Sequence, residues 1–110
     1  MRATFAISTL LFAAVGLVQA RDDRELFTIP STTTMDAFTK AFTTECNTWA
    51  PALGAGLVQA SDLVELGDFQ GKNTDTEVRL VCSYWDGSDP STIELFTEDI
   101  AEGLGATLDL

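Results

Sequence analysis

The sequence predicts an α+β domain in which two helices cover one face of a four-stranded antiparallel sheet. Three observations lead there. Residues 77–85, EVRLVCSYW, alternate as a strand with one buried face does. Two stretches, beginning near Met35 and Ile93, repeat apolar residues at helical steps of three and four. The two cysteines, Cys46 and Cys82, fall on the first helix and on that strand, so one bridge would tie the two layers together.

The first twenty residues, MRATFAISTLLFAAVGLVQA, are expected to be a secretory signal peptide. Arg2 gives the positive start, Phe5 to Val18 is apolar apart from Ser8, Thr9 and Gly16, and Val18-Gln19-Ala20 is a small-x-small cleavage site. The apolar run is shorter than the roughly 20 residues a bilayer span needs, and no later stretch reaches that length. Residues 21–110 are then one secreted domain with a modest core.

ELFTI, residues 25–29, reads as a strand ended by Pro30. Met35, Phe38, Phe42, Cys46 and Trp49 define the first helix, with Thr34 as N-cap and Asp36 suiting the first turn. Pro51 and Gly54 are read as its end. Residues 57–69 hold strand-like pairs with an irregularity between them, and QGKNTDT is a polar turn. In EVRLVCSYW, Val78, Leu80, Cys82 and Tyr84 face the core, and Arg79, Val81, Ser83 and Trp85 face away. After the DGSDP turn, Ser91 and Glu94 have capping-box spacing ahead of Ile93, Phe96, Ile100 and Leu104. Gly103 is a stop signal, and ATLDL is a last short strand. Strand–helix–strand–strand–helix–strand resembles the ferredoxin-like split β-α-β order. The competing arrangement is a small β-sandwich or barrel with one helix appended.

Seventeen acidic residues face six basic ones, and histidine is absent. Every acidic residue lies after Ala20, against Arg21, Arg24, Lys40, Lys72 and Arg79, so the secreted part carries a formal charge of −12. Such a surface repels nucleic acid and anionic lipid, so neither is expected as a partner. In an oxidising compartment Cys46 and Cys82 are expected to pair. Two cysteines without histidine make a poor zinc site and no Cys–His nucleophile.

Candidate sites are few. Trp85, Val81 and Phe69 are read as an apolar patch on the sheet face away from the helices, fit for a protein partner or a second copy. Phe38, Phe42, Tyr84 and Phe96 would fill the core, or line a pocket for an apolar ligand. Asp86, Ser88, Asp89 and Glu94 offer oxygens to calcium, without the EF-hand pattern. Seventeen carboxylates place neighbours together by chance, and no serine triad or phosphate loop is present. No cofactor is expected. The function these features favour is a small acidic non-enzymatic binding module, effector- or inhibitor-like or self-associating. A small apolar-ligand protein or small enzyme is the rival.

Overall fold

A computed structural model describes residues 22–109. The signal-peptide expectation falls on residues 1–20, outside the described residues.

The elements run β1 (Glu25–Thr28), α1 (Met35–Asn47), α2 (Ala50–Gly54), β2 (Val58–Leu66), β3 (Glu77–Trp85), β4 (Glu94–Leu95), α3 (Thr97–Gly103) and β5 (Thr107–Leu108). Strands β2-β3-β1-β5 form one antiparallel sheet in that order, and β4 also pairs with β3. The sheet does not close into a barrel. This is the predicted α+β arrangement with ferredoxin-like topology, with β3 central and beside the first strand.

The periodicity of β3 explains the layering. Val78, Leu80, Cys82 and Tyr84 are all fully buried, and they meet Phe38, Phe42 and Cys46 of α1 and Ile100 and Ala101 of α3. Phe27, opposite Val78, and Ile29 complete this side of the core. The Cys46–Cys82 disulfide joins α1 to β3 through its middle, as the sequence predicts. Thr34 caps α1, its hydroxyl accepting the Ala37 N–H at 3.2 Å, and Asp36 lies in the first turn. The irregularity in residues 57–69 is a register shift between Gln59 and Ser61, where β2 bulges against β3. The turn after β2 closes at Gly67, whose φ is +87° and whose Cβ position would lie 2.8 Å from the Lys72 carbonyl oxygen.

Two expectations need correction. Pro51 does not simply end α1. The helix stops at Asn47, and Pro51 sits in the first turn of the separate helix α2, where a missing N–H costs nothing. The second long helix does not start at Ser91 either. The Asp89 carboxylate takes the Ser91 N–H at 2.9 Å and begins a 3-10 turn over Pro90–Thr92. Ile93 is extended, and helix α3 waits until Thr97.

Strand β1 explains that delay. It has four residues and pairs only with Glu77–Leu80 of the nine-residue β3. The rest of that edge of β3 needs partners, because buried backbone groups are rarely left unpaired. Leu95 and Glu94 pair with Ser83 and Tyr84. The Phe96 N–H donates to the Cys82 carbonyl at 2.8 Å. Thr97, fully buried, accepts the Cys82 N–H at 2.9 Å through its hydroxyl. A side chain thus completes a ladder where no strand reaches, a role a helix-period reading of residues 93–104 cannot reveal.

Candidate functional site

Both main helices lie on one side of the sheet, so the other side is uncovered by them. Register identifies the residues on it, since directly opposed residues share a face. Val58 lies opposite Trp85, Ser61 and Leu95 opposite Ser83, Leu63 opposite Val81, and Leu26 opposite Arg79. Val58 is 49 % exposed, Leu95 39 % and Phe69 53 %. Trp85 is half-buried, whereas Val81 is 6 % exposed. The three residues the sequence marked for this face therefore differ. Trp85 and Phe69 are accessible, and Val81 is the floor between them. Val58 and Leu95 were missed, Val58 because residues 57–69 read as irregular and Leu95 because it falls within the stretch read as the second helix.

One end of this face is polar. Arg24 binds Asp22 at 2.9 Å and Glu65 at 2.9 Å, and Arg79 binds Glu65 at 3.1 Å. Its pairing with Arg24 holds Asp22 down at about 2. Arg79 also donates to the Gly67 and Leu66 carbonyls, fixing the end of β2. The Arg24 guanidinium stands 5.3 Å from the centroid of the Phe69 ring, within cation–π range. Phe69 is thereby held over this end of the face although it belongs to a turn. Beside it a hollow of about 310 Å3 opens between Asp22, Arg24, Ser61, Leu63 and Val81. The hydroxyls of Ser61 and Ser83 meet at 2.6 Å at the middle of the face.

The aromatic residues considered for a pocket lie in the other layer. Phe38, Phe42 and Tyr84 are buried in the core cluster, and Phe96 packs on its edge against Tyr84 with ring centroids 5.8 Å apart. The oxygen-rich turn uses its carboxylates locally. Asp86 accepts from the Ser88 and Asp89 N–H groups and Asp89 from Ser91. Those bonds hold the Asp86 carboxyl below its ordinary range. Glu94 is in β4. Among the described residues no three His, Cys, Asp or Glu side chains gather as metal ligands. No helix among them is long and apolar enough to cross a membrane.

Glu25 is out of keeping with its surroundings. It lies opposite the fully buried Leu80, on the helix-facing side of β1. Burial raises its pKa to about 7, helped by a hydrogen bond with Glu98 and by the charges of Glu98, Asp23 and Glu102. The folded state therefore holds this proton more tightly than the unfolded chain, whose value is about 4.5. The stabilisation is full below pH 4.5 and is lost as pH rises towards 7. Glu25→Gln mimics the protonated form. It is expected to match the native protein in melting temperature at pH 4.5 and to exceed it at pH 8. Thermal unfolding at the two pH values checks this, and an equal difference at both would contradict it.

No protein-family model, no curated protein and no solved structure matches this chain.

Proposed function

We propose that this chain is a small, acidic, secreted, non-enzymatic module that binds another protein with the sheet face its helices leave uncovered. The observation that carries the reading is the exposure of Val58, Leu95 and Phe69 beside the half-buried Trp85 on that one face. Aromatic and aliphatic side chains grouped within a polar rim are what partner proteins bury first.

Charge selects between partners. A second copy would bring another strongly acidic chain against the first, with only a few arginines and lysines between them. A partner with a basic rim gains where a second copy is repelled. The edge of the sheet is a poorer docking element than its face. Among the described residues strand β2 is a free edge, but it carries a bulge and the charged Asp62, both devices that discourage strand addition. The partner is therefore a different, basic protein seated on the face.

A photo-crosslinking residue at position 95 is expected to join the secreted protein to a partner in its native medium. The same residue at position 53, an exposed site on α2, should not. Val58→Asp should abolish the position-95 product while leaving the melting temperature unchanged. A product that persists in Val58→Asp, or no product at position 95, would overturn the face assignment. Intact mass of the exported protein tests secretion separately, the expected chain beginning at Arg21.

A further inference from the structure

Strand β2 ends the sheet among the described residues, so one of its edges carries backbone N–H and C=O groups that no strand of the described chain pairs. We propose that this edge is an acid-dependent interface between two copies of the chain, in which residues 62–66 of each β2 pair antiparallel about a two-fold axis. The edge is separate from the face assigned to a basic partner, and the two can be tested apart.

Geometry sets the register. The bulge between Gln59 and Ser61 confines regular pairing to the stretch beyond it, DLVEL from Asp62 to Leu66. Asp62, Val64 and Leu66 lie opposite Cys82, Leu80 and Val78, so they share the helix-facing side of the sheet. An axis centred on Val64 sets Val64 against its own copy and Leu66 against Asp62 of the second copy. Leu66 is 47 % exposed although it is on the side of the sheet that carries the core, and a second copy would cover it. Helix α1 leaves room for the added strand. A groove of about 460 Å3 runs between α1 and β2, lined by Thr39, Lys40, Thr43, Thr44 and Val64, so the helical layer stops short of the sheet's edge. Backbone pairing across such an edge supplies affinity, and a self-complementary row of side chains supplies the register.

Charge decides when the edge is open. At pH 7 the formal net charge of −11 holds two copies apart, and an ionised Asp62 would be set against a leucine. Both obstacles titrate. The chain is isoelectric near pH 4.1, where repulsion between copies disappears. Burial raises the Asp62 carboxyl above its ordinary range, and no charged neighbour contributes to the shift. Its counterpart on β3, Cys82, is in the disulfide. Lys40, which lines the groove from α1, is paired with Asp36. Glu65 stands on the other side of the sheet, bound by Arg24 and Arg79. Asp62 is therefore neutral at a higher pH than an ordinary aspartate, and the device that guards the edge at neutral pH is withdrawn in acid.

Sedimentation velocity of the purified protein, at one concentration and several pH values, is the test. A monomer is expected at pH 7 and a dimer at pH 4. At pH 5, Asp62→Asn should dimerise about tenfold more tightly than the native chain, because its side chain is neutral throughout. Leu66→Lys places a charge in the seam at an exposed position, so it should keep its melting temperature and stay monomeric at pH 4. Leu95→Lys makes the same change of charge on the outer face and should still dimerise. At pH 4 the amides of residues 62–66 should exchange more slowly in the native chain than in Leu66→Lys. A native chain that is monomeric at pH 4, or a dimer that survives Leu66→Lys, would overturn the proposal. A dimer lost in Leu95→Lys would move the contact to the outer face and overturn the edge. An Asp62→Asn chain no tighter than the native one would do so too, since the acid dependence would then lie elsewhere.

Discussion

Replacing both Cys46 and Cys82 by alanine is expected to lower the unfolding free energy by about 3–4 kcal/mol, the loop-closure value for a 36-residue separation. Deleting two fully buried sulfurs adds a packing loss in the middle of the core. Domains of this size have total stabilities of about 5–15 kcal/mol, so the bridge is a large fraction. Its position makes it more than a generic cross-link. It ties α1 to the central strand within the core cluster that also holds Phe42, and Thr97 accepts the Cys82 N–H beside it. Urea unfolding of the double variant should show a lower midpoint, and reductant should move the native protein the same way. A midpoint unchanged by both treatments would mean that the core holds the layers together unaided.

The same bridge shows why much of the fold was legible. A strand with the alternation of EVRLVCSYW has one apolar face whatever its neighbours, and Val78, Leu80, Cys82 and Tyr84 are indeed the buried set. A helix with Met35, Phe38, Phe42 and Cys46 at its steps must lay that stripe on such a face. What escaped was decided by length. How far β1 extends along β3 is not written in ELFTI, so neither was the need for β4 and Thr97 to complete the ladder. Helix-like spacing of Ile93, Phe96, Ile100 and Leu104 suits the real arrangement as well, because Phe96 and Ile100 still meet the core from an extended segment and a short helix. Pro51 misled for a related reason: the residue that stops one helix is a good start for the next.

The outer face was half legible. Trp85 and Val81 follow from strand alternation alone. Phe69 belongs to it through the turn after β2 and the Arg24 contact, a pairing of residues 45 positions apart that no periodicity encodes.

Tyr84 is the second residue whose loss should be felt most, and two substitutions separate its two roles. Tyr84→Ala removes a fully buried ring that packs edge-on against Phe96, at an expected cost of about 3–5 kcal/mol. Tyr84→Phe keeps the ring and deletes only the hydroxyl. That hydroxyl donates to the Cys46 carbonyl and accepts the Trp49 backbone N–H at 3.4 Å. Both partners lie at the corner where α1 ends and α2 begins, where helix carbonyls lack partners of their own. Leaving them buried and unpaired should cost about 1–3 kcal/mol in chemical unfolding. The phenylalanine variant has a second expected signature. Tyr84 holds the backbone of Trp49, so the Trp49 indole resonance should shift and that of Trp85, next along the chain but pointing to the opposite face, should shift less. A variant as stable as the native protein, with Trp49 undisturbed, would show that water or backbone adjustment replaces the hydroxyl. The loss of stability without a change at Trp49 would place its contribution in the core alone. The joint result ties the central strand to the corner between α1 and α2 through one side chain.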